Sequence, residues 1–532
     1  MKKLNFLILT AILVIATFLT SMGQSPRVVV VPGWDPAAGG AADDFNNLLY
    51  DAIDADSTGR KENPNTIYEL KRDHLYPQGK VIKNYDYHLH LRAEEGEGLN
   101  PEFIVGKKTD GSYGNDYIQS YNDLTIENIS FNAYTPDGKY LNRMIEISGN
   151  NSRVIYDGVV FDGDRGSCVC MKADSLKVYV YNVKGVNSGH RKTTGGNGRL
   201  IDLRPEAIYV DTLIVKNTTT TNTSDRIIRN MGSIVNYFEY DHVTALNVIG
   251  YHGGLQLGNV KTAIVTNSVF GNIISLGHVD SRTQEQTQPE PHFAVITLDT
   301  VFAGQHIEIR NNNIYFDQEI KDIWAKFDSV SAPWEITPTI EAVLGADASK
   351  AWFSEPLVFE QSCSNVAAYV NAYYSDPAAS EFPENWCVGG DGGYFADELN
   401  VAYANSYTSF TAGDKGFPVG DLNNYKELYD LWKAGGQAVS VQDFNELANN
   451  FSCYPNPVSK TSTISYSIPE AGYVELSVLD MTGKTIQKLK NSFQEDGDYQ
   501  ITFDASSLNQ GIYFIKLNTQ NGSAIEKVTV TK

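Results

Sequence analysis

Leu124-Thr125-Ile126-Glu127-Asn128-Ile129-Ser130-Phe131 carries the pattern on which the fold turns. Apolar residues alternate with polar ones, a polar turn bearing Asn interrupts, and alternation resumes. Period-two alternation is the mark of a strand with one buried side. The phrase returns as Val154–Phe161, Val178–Val183, Ile208–Val215, Phe238–Val243, Ala263–Phe270 and Ile307–Ile314. The starts at 124, 154, 178, 208, 238, 263 and 307 are 30, 24, 30, 30, 25 and 44 residues apart. Most gaps are near the length of one solenoid coil. The longest contains a loop rich in Gln, Glu and Pro between Asp280 and Pro291.

Between these phrases lies another apolar strand per coil: Met144–Ile147, Cys168–Met171, Leu200–Leu203, Ile227–Asn230, Leu255–Leu257 and Ala294–Thr297. Two or three short strands per coil predict an all-β chain, a right-handed parallel β-helix whose coils stack about 4.8 Å apart. An array of β-sandwiches would give shorter, more regular strand spacing. The phrase at Leu124, with the entry segments Ile67–Arg72 and Leu89–Gly96, resembles the pectin-lyase-like β-helix family over roughly residues 65 to 317. The resemblance implies a fold rather than one activity, because that scaffold carries lyases, hydrolases, esterases and adhesins.

The two ends read differently. Met1-Lys2-Lys3, an apolar run from Leu4 to Leu19, and small residues before a cut after Gly23 predict a secretory signal peptide over 1–23. The apolar run is short for a ~30 Å membrane core. No later segment is apolar enough to span, so no transmembrane segment is expected after cleavage. At the other end, short alternating runs separated by Gly, Asn and Asp predict a small antiparallel β-sandwich over 453–532. Its order of Tyr454-Pro455-Asn456-Pro457, Asp480-Met481-Thr482-Gly483-Lys484 and Gly511-Ile512-Tyr513 resembles the C-terminal sorting domain of type IX secretion. That implies the type IX machinery as a partner, passage through the periplasm to the cell surface or medium, and a cut near Ser452-Cys453. The solenoid with its N-terminal cap is expected over 24–320, and a C-terminal cap and linker with short helices over 321–452.

The formal net charge of −22 argues against nucleic acid and anionic membranes as partners. An anionic polysaccharide would need a local cluster of cations. Of five cysteines, Cys168 and Cys170 sit two apart and are expected as small core residues. Cys363 and Cys387 are the better disulfide candidates in an exported chain.

Alternation places Glu146, Val169, Asp202, Arg229, Gln256 and Thr297 outward in one stacked column, with Arg229 solvent-facing beside Asp202 of the preceding coil. Arg204 and Arg226 lie on the same strands, and the loop His190-Arg191-Lys192 precedes them. This is the densest basic cluster in an acidic body. A lyase acting on a uronate-bearing polysaccharide needs a base, a carboxylate neutraliser and an acid for the leaving oxygen. In β-helix lyases the base is often Arg or Lys beside a Ca2+ ion held by carboxylates. Arg229, Arg226 and Arg204 are therefore catalytic candidates. His190, Arg191, Lys192 and Gln256 are substrate-binding candidates, and Glu146 and Asp202 are candidate Ca2+ ligands. The competing reading is a salt-bridge ladder on a non-catalytic adhesin or glycan-binding solenoid. Hydrolase signals are fragmentary: Gly189-His190-Arg191 and Tyr251-His252-Gly253-Gly254 resemble parts of a galacturonase motif, and Asp43-Asp44 lies outside the repeat. Asp54–Gly59 begins like a calcium loop but has Asn65 at its twelfth position, which predicts a turn.

Overall fold

A computed structural model describes residues 25–531, apart from 190–196, 204–207, 231, 251, 280–292, 328–329, 362–365, 377–398, 439–450, 469–471, 481–483 and 520–521. The expected signal peptide and the Cys363/Cys387 pair lie outside the described residues. The chain divides into two compact units, 1–413 with 418–426 and 414–417 with 427–532.

The first unit is a parallel β-helix with three faces. Strands Thr66–Leu70, Leu89–Ala93, Leu124–Glu127, Arg153–Asp157 and Leu176–Tyr181 begin the first face. Each pairs in parallel with its successor, so Leu91 meets Ile126, Ile126 meets Tyr156, and Tyr156 meets Val180. The second face stacks Glu102–Val105, Ser130–Asn132, Val160–Asp162 and Lys184–Ser188. The third is a nine-stranded parallel sheet that includes Arg143–Ile147, Ser167–Met171, Ile201–Leu203 and Ile228–Asn230.

Inward positions stack like on like from coil to coil. Phe103 lies 4.6 Å from Phe131, and Phe131 lies 5.5 Å from Phe161. Burying one such ring contributes roughly 1.5–3 kcal/mol. At the next coil Gly185 continues the column, and its missing side chain leaves room for Leu200, whose Cδ1 stands 2.7 Å from where a Cβ would be.

The corner between the first and second faces repeats a left-handed residue: Asn128, Asn182, Asn217, His242, Asn267 and Asn311, with φ between 46° and 57°. Asn adopts this conformation at little cost, and its amide bonds the neighbouring coil. Asn267 Nδ2 donates to Asp241 Oδ1 at 2.8 Å, and Asn311 Nδ2 to Asn267 Oδ1 at 3.2 Å. The Asn in the repeated phrase is thus the corner itself.

The region expected as a cap serves two purposes. Helices Gln318–Trp324, Pro338–Leu344 and Val366–Ser375 follow the last coils, and Ile320, Ile340 and Val370 join the solenoid core. The turn-rich pieces 409–413 and 418–423 of this unit do something else: they run back along the outside of the second face. Ser409 Oγ accepts from Asn313 Nδ2, Gly420 N donates to Asn267 O, Asp421 N to Thr244 Oγ1, and Asn423 Nδ2 to Asn217 O. These contacts step from later coils to earlier ones, so these pieces are a strap rather than an end cover. The Asp54–Gly59 stretch lies across the junction of two helices, Leu48–Ala55 and Ser57–Glu62.

The second unit contains a three-stranded and a four-stranded antiparallel sheet. Val474, Leu476, Val478, Phe503, Ile515, Leu517 and Val528 form its core. The short strand Ser452–Tyr454 and the half-exposed, Lys-bearing strand Thr485–Gln494 are the two the alternation did not predict.

Candidate functional site

The third-face column is observed in register: Gln119, Glu146, Cys170, Asp202 and Arg229 are neighbours from coil to coil, and Gln256 meets Thr297. Two expectations need correction. Cys170, not Val169, stands in the column, because Val169 pairs with Ile145 and Ile201 and belongs to the core. Cys168 and Cys170 are both small buried residues, as expected.

Arg229 does not face solvent. It is buried, and grips Asp202 with two hydrogen bonds, Nε to Oδ1 at 2.7 Å and Nη2 to Oδ2 at 3.1 Å. Alternation fixes which side of the sheet a residue takes, not whether that side is covered.

Beside this column, where the second face turns into the third, a buried polar network has formed. Arg199, 1 % exposed, spans two coils: Nη1 reaches Asp202 Oδ2 at 3.0 Å and Nη2 reaches Asp225 Oδ2 at 2.7 Å. Arg226 Nε donates to Asp225 Oδ2 at 2.9 Å and Nη1 to Gln256 Oε1 at 2.9 Å. Gln256 Nε2 donates to His252 O at 2.8 Å, so both ends of that amide are engaged within the scaffold. His252 Nδ1 lies 2.9 Å from Asp225 Oδ1.

Three guanidiniums, Arg199, Arg226 and Arg229, here face two carboxylates. Burial alone would raise the Asp225 carboxyl, but Arg226, His252 and Arg199 outweigh it and hold the group far below the usual range. Burial pulls the Arg226 guanidinium below its ordinary value despite Asp225. One coil earlier, Asp164 is fully buried, accepts from Ser188 Oγ at 2.5 Å and Cys168 Sγ at 3.3 Å, and has no partner on Oδ1. Burial pushes its carboxyl up to about 7. Gly198, with φ 96°, allows this tight packing: a Cβ there would stand 2.3 Å from Ser188 O.

Of the residues singled out in the sequence, Asp202, Arg226, Arg229 and Gln256 meet in this network. Arg204, His190, Arg191 and Lys192 lie outside the described residues. Glu146 sits two strands from Asp202, with Cys170 between, and pairs with Lys172 at 2.7 Å and Arg143 at 3.0 Å. Both carboxylates proposed for Ca2+ are thus already neutralised by cations and do not fit an oxygen cage for that ion. Asp225, Arg199 and Asp164 escaped the sequence reading, since they sit at corners where alternation carries no information. His252 was visible only as a motif fragment.

Residues 452–531 match the family described as secretion system C-terminal sorting domain. That segment is the sorting domain. It marks the chain for export by type IX secretion to the cell surface or medium, and its two antiparallel sheets agree with the match. No helix among the described residues is long and apolar enough to cross a membrane. No curated protein matches the chain.

Proposed function

We propose that the exported β-helix acts on an acidic polysaccharide by β-elimination at the corner of Asp225, Arg226 and His252. The observation that carries this reading is the His252–Asp225 pair at 2.9 Å: a buried carboxylate orients an imidazole whose side chain stays 20 % exposed, beside a surplus of guanidiniums. A carboxylate that fixes the ring's orientation and holds Nδ1 leaves Nε2 as the atom that can act as a general base. His252 then takes the role first given to Arg229, whose guanidinium is committed to Asp202. In the reaction His252 removes the proton on the carbon next to the uronate carboxylate. The electron pair forms a carbon–carbon double bond, the glycosidic carbon–oxygen bond breaks, and the imidazolium returns its proton to the leaving oxygen. The positive field of Arg199, Arg226 and Arg229 favours the dianionic intermediate.

The test is ultraviolet absorbance from unsaturated uronate ends when the mature protein meets pectate, alginate and related uronans, with His252→Asn as the control. Turnover that vanishes in the variant supports the reading. Absence of new absorbance across the panel removes it.

A second reading is favoured by the engagement of Arg226, Arg229 and Gln256 with scaffold groups: a non-catalytic surface adhesin or glycan-binding solenoid. Glycan retention without chain shortening distinguishes it.

A further inference from the structure

Far from that corner, on the outer side of the first face, the cap helix Ser57–Glu62 stands over a cleft of about 740 Å3. Its wall carries Arg60 and Lys61, and its floor carries His88, His90, Thr125 and Arg153. Each is held for a local reason. The Arg60 guanidinium lies 4.1 Å over the Tyr87 ring and donates through Nη1 to Tyr68 Oη at 3.1 Å. His88 is fixed on Thr125 Oγ1 at 2.9 Å and stacks on His90, with ring centres 5.6 Å apart. The Arg153 backbone N–H is tied to Asp123 Oδ1 at 2.8 Å, and its guanidinium lies 5.4 Å from the Tyr179 ring. Lys61 is exposed.

Three permanent cations line this space with two carboxylates, Asp86 and Asp123, and a third, Glu127, is engaged by His90 at 2.8 Å, in a chain of net charge −22. Such a gathering of cations in a concave site of an acidic chain draws anions. The surface continues in register from Arg153 to Lys177, and from Tyr179 to Tyr181 at 6.2 Å. Rings alternating with cations suit a ligand that presents both flat carbon faces and acidic groups.

We propose that this cleft binds an anionic oligosaccharide, with its acidic groups on Lys61, Arg60 and Arg153 and its sugar faces against the rings of His88 and Tyr179. The site is distinct from the His252 corner and stands whether or not that corner is catalytic.

The experiment is calorimetric titration of the exported protein with a defined oligogalacturonate, a sulfated oligosaccharide and an uncharged cello-oligosaccharide. At least one anionic probe binds, its affinity falls as salt is raised, and the uncharged probe binds at least tenfold more weakly. Loss of one charge-assisted contact in Lys61→Glu or Arg153→Gln weakens binding about tenfold. Lys61→Arg restores it, and the melting temperature of the Lys61 variants stays at the parent value. Binding of the carboxylated probe alone, or of the sulfated probe alone, identifies the acidic group read. In a His252→Asn background, where the proposed elimination is blocked, Lys61→Glu still weakens binding about tenfold, which separates the cleft from that reaction. The proposal is overturned if neither anionic probe binds, if the uncharged probe binds equally well, or if both charge variants bind like the parent.

Discussion

Asp225 and His252, 27 residues apart in sequence, meet at 2.9 Å because one coil of the solenoid separates them. The same carboxylate takes Arg199 from the preceding coil and Arg226 from the next position in the chain. One fully buried group therefore ties three coils together. Breaking a buried ion pair by removing one partner costs about 3–5 kcal/mol. Asp225→Ala is expected to lower the urea midpoint sharply, whereas His252→Asn, which keeps a polar group at the half-exposed edge, shifts it little. Equal small shifts in both would show that Asp225 carries no structural load.

Arg229→Ala removes two of the hydrogen bonds to the buried Asp202 and leaves that of Arg199. The expected loss is about 3 kcal/mol in equilibrium unfolding. Arg229→Lys recovers only part of it, since an ammonium cannot reproduce the two-pronged contact. An unchanged unfolding midpoint in the Ala variant would place Arg229 among exposed pairs, worth ~0–1 kcal/mol.

Burial pushes the Asp164 carboxyl from its ordinary value near 3.8 up to about 7. The folded chain thus holds a proton there that the unfolded chain has released. The unfolded state binds fewer protons between these values, so this group makes stability fall as pH rises from about 4 to about 7. Asp164→Asn keeps the shape without the titration. Its stability-against-pH curve should lack that descending component, and a curve parallel to the parent's would exclude the assignment.

His88 gives the opposite slope. Burial, then the neighbouring His90, lowers its imidazole to about 4 from an ordinary 6.5. Here the unfolded chain binds the proton first, so stability rises with pH between about 4 and 6.5. His88→Gln should remove that rise in thermal melts taken across the range; an unaltered rise would assign it to other groups.

Processing is testable by mass. The exported protein recovered from culture medium should lack residues 453–532. Intact-mass measurement that finds the full C-terminus in the medium would contradict removal of the sorting domain.

What the sequence determined by itself was the rhythm. Alternation at Leu124–Phe131 and its six repeats set the inward side of each strand, and the coil spacing set Asp202 beside Arg229, because parallel pairing between coils leaves little freedom of register. The sorting domain was legible for a similar reason: its turn clusters are local. Only the tertiary structure decided depth and company. Alternation reports a side, while burial depends on what distant segments lay over that side. So Arg229 proved buried, residues 418–423 proved a strap along Asn217, Thr244 and Asn267, and Arg199, Asp225 and His252 converged. Contacts made at corners and across coils leave no period in the sequence; they exist only once the coils are stacked.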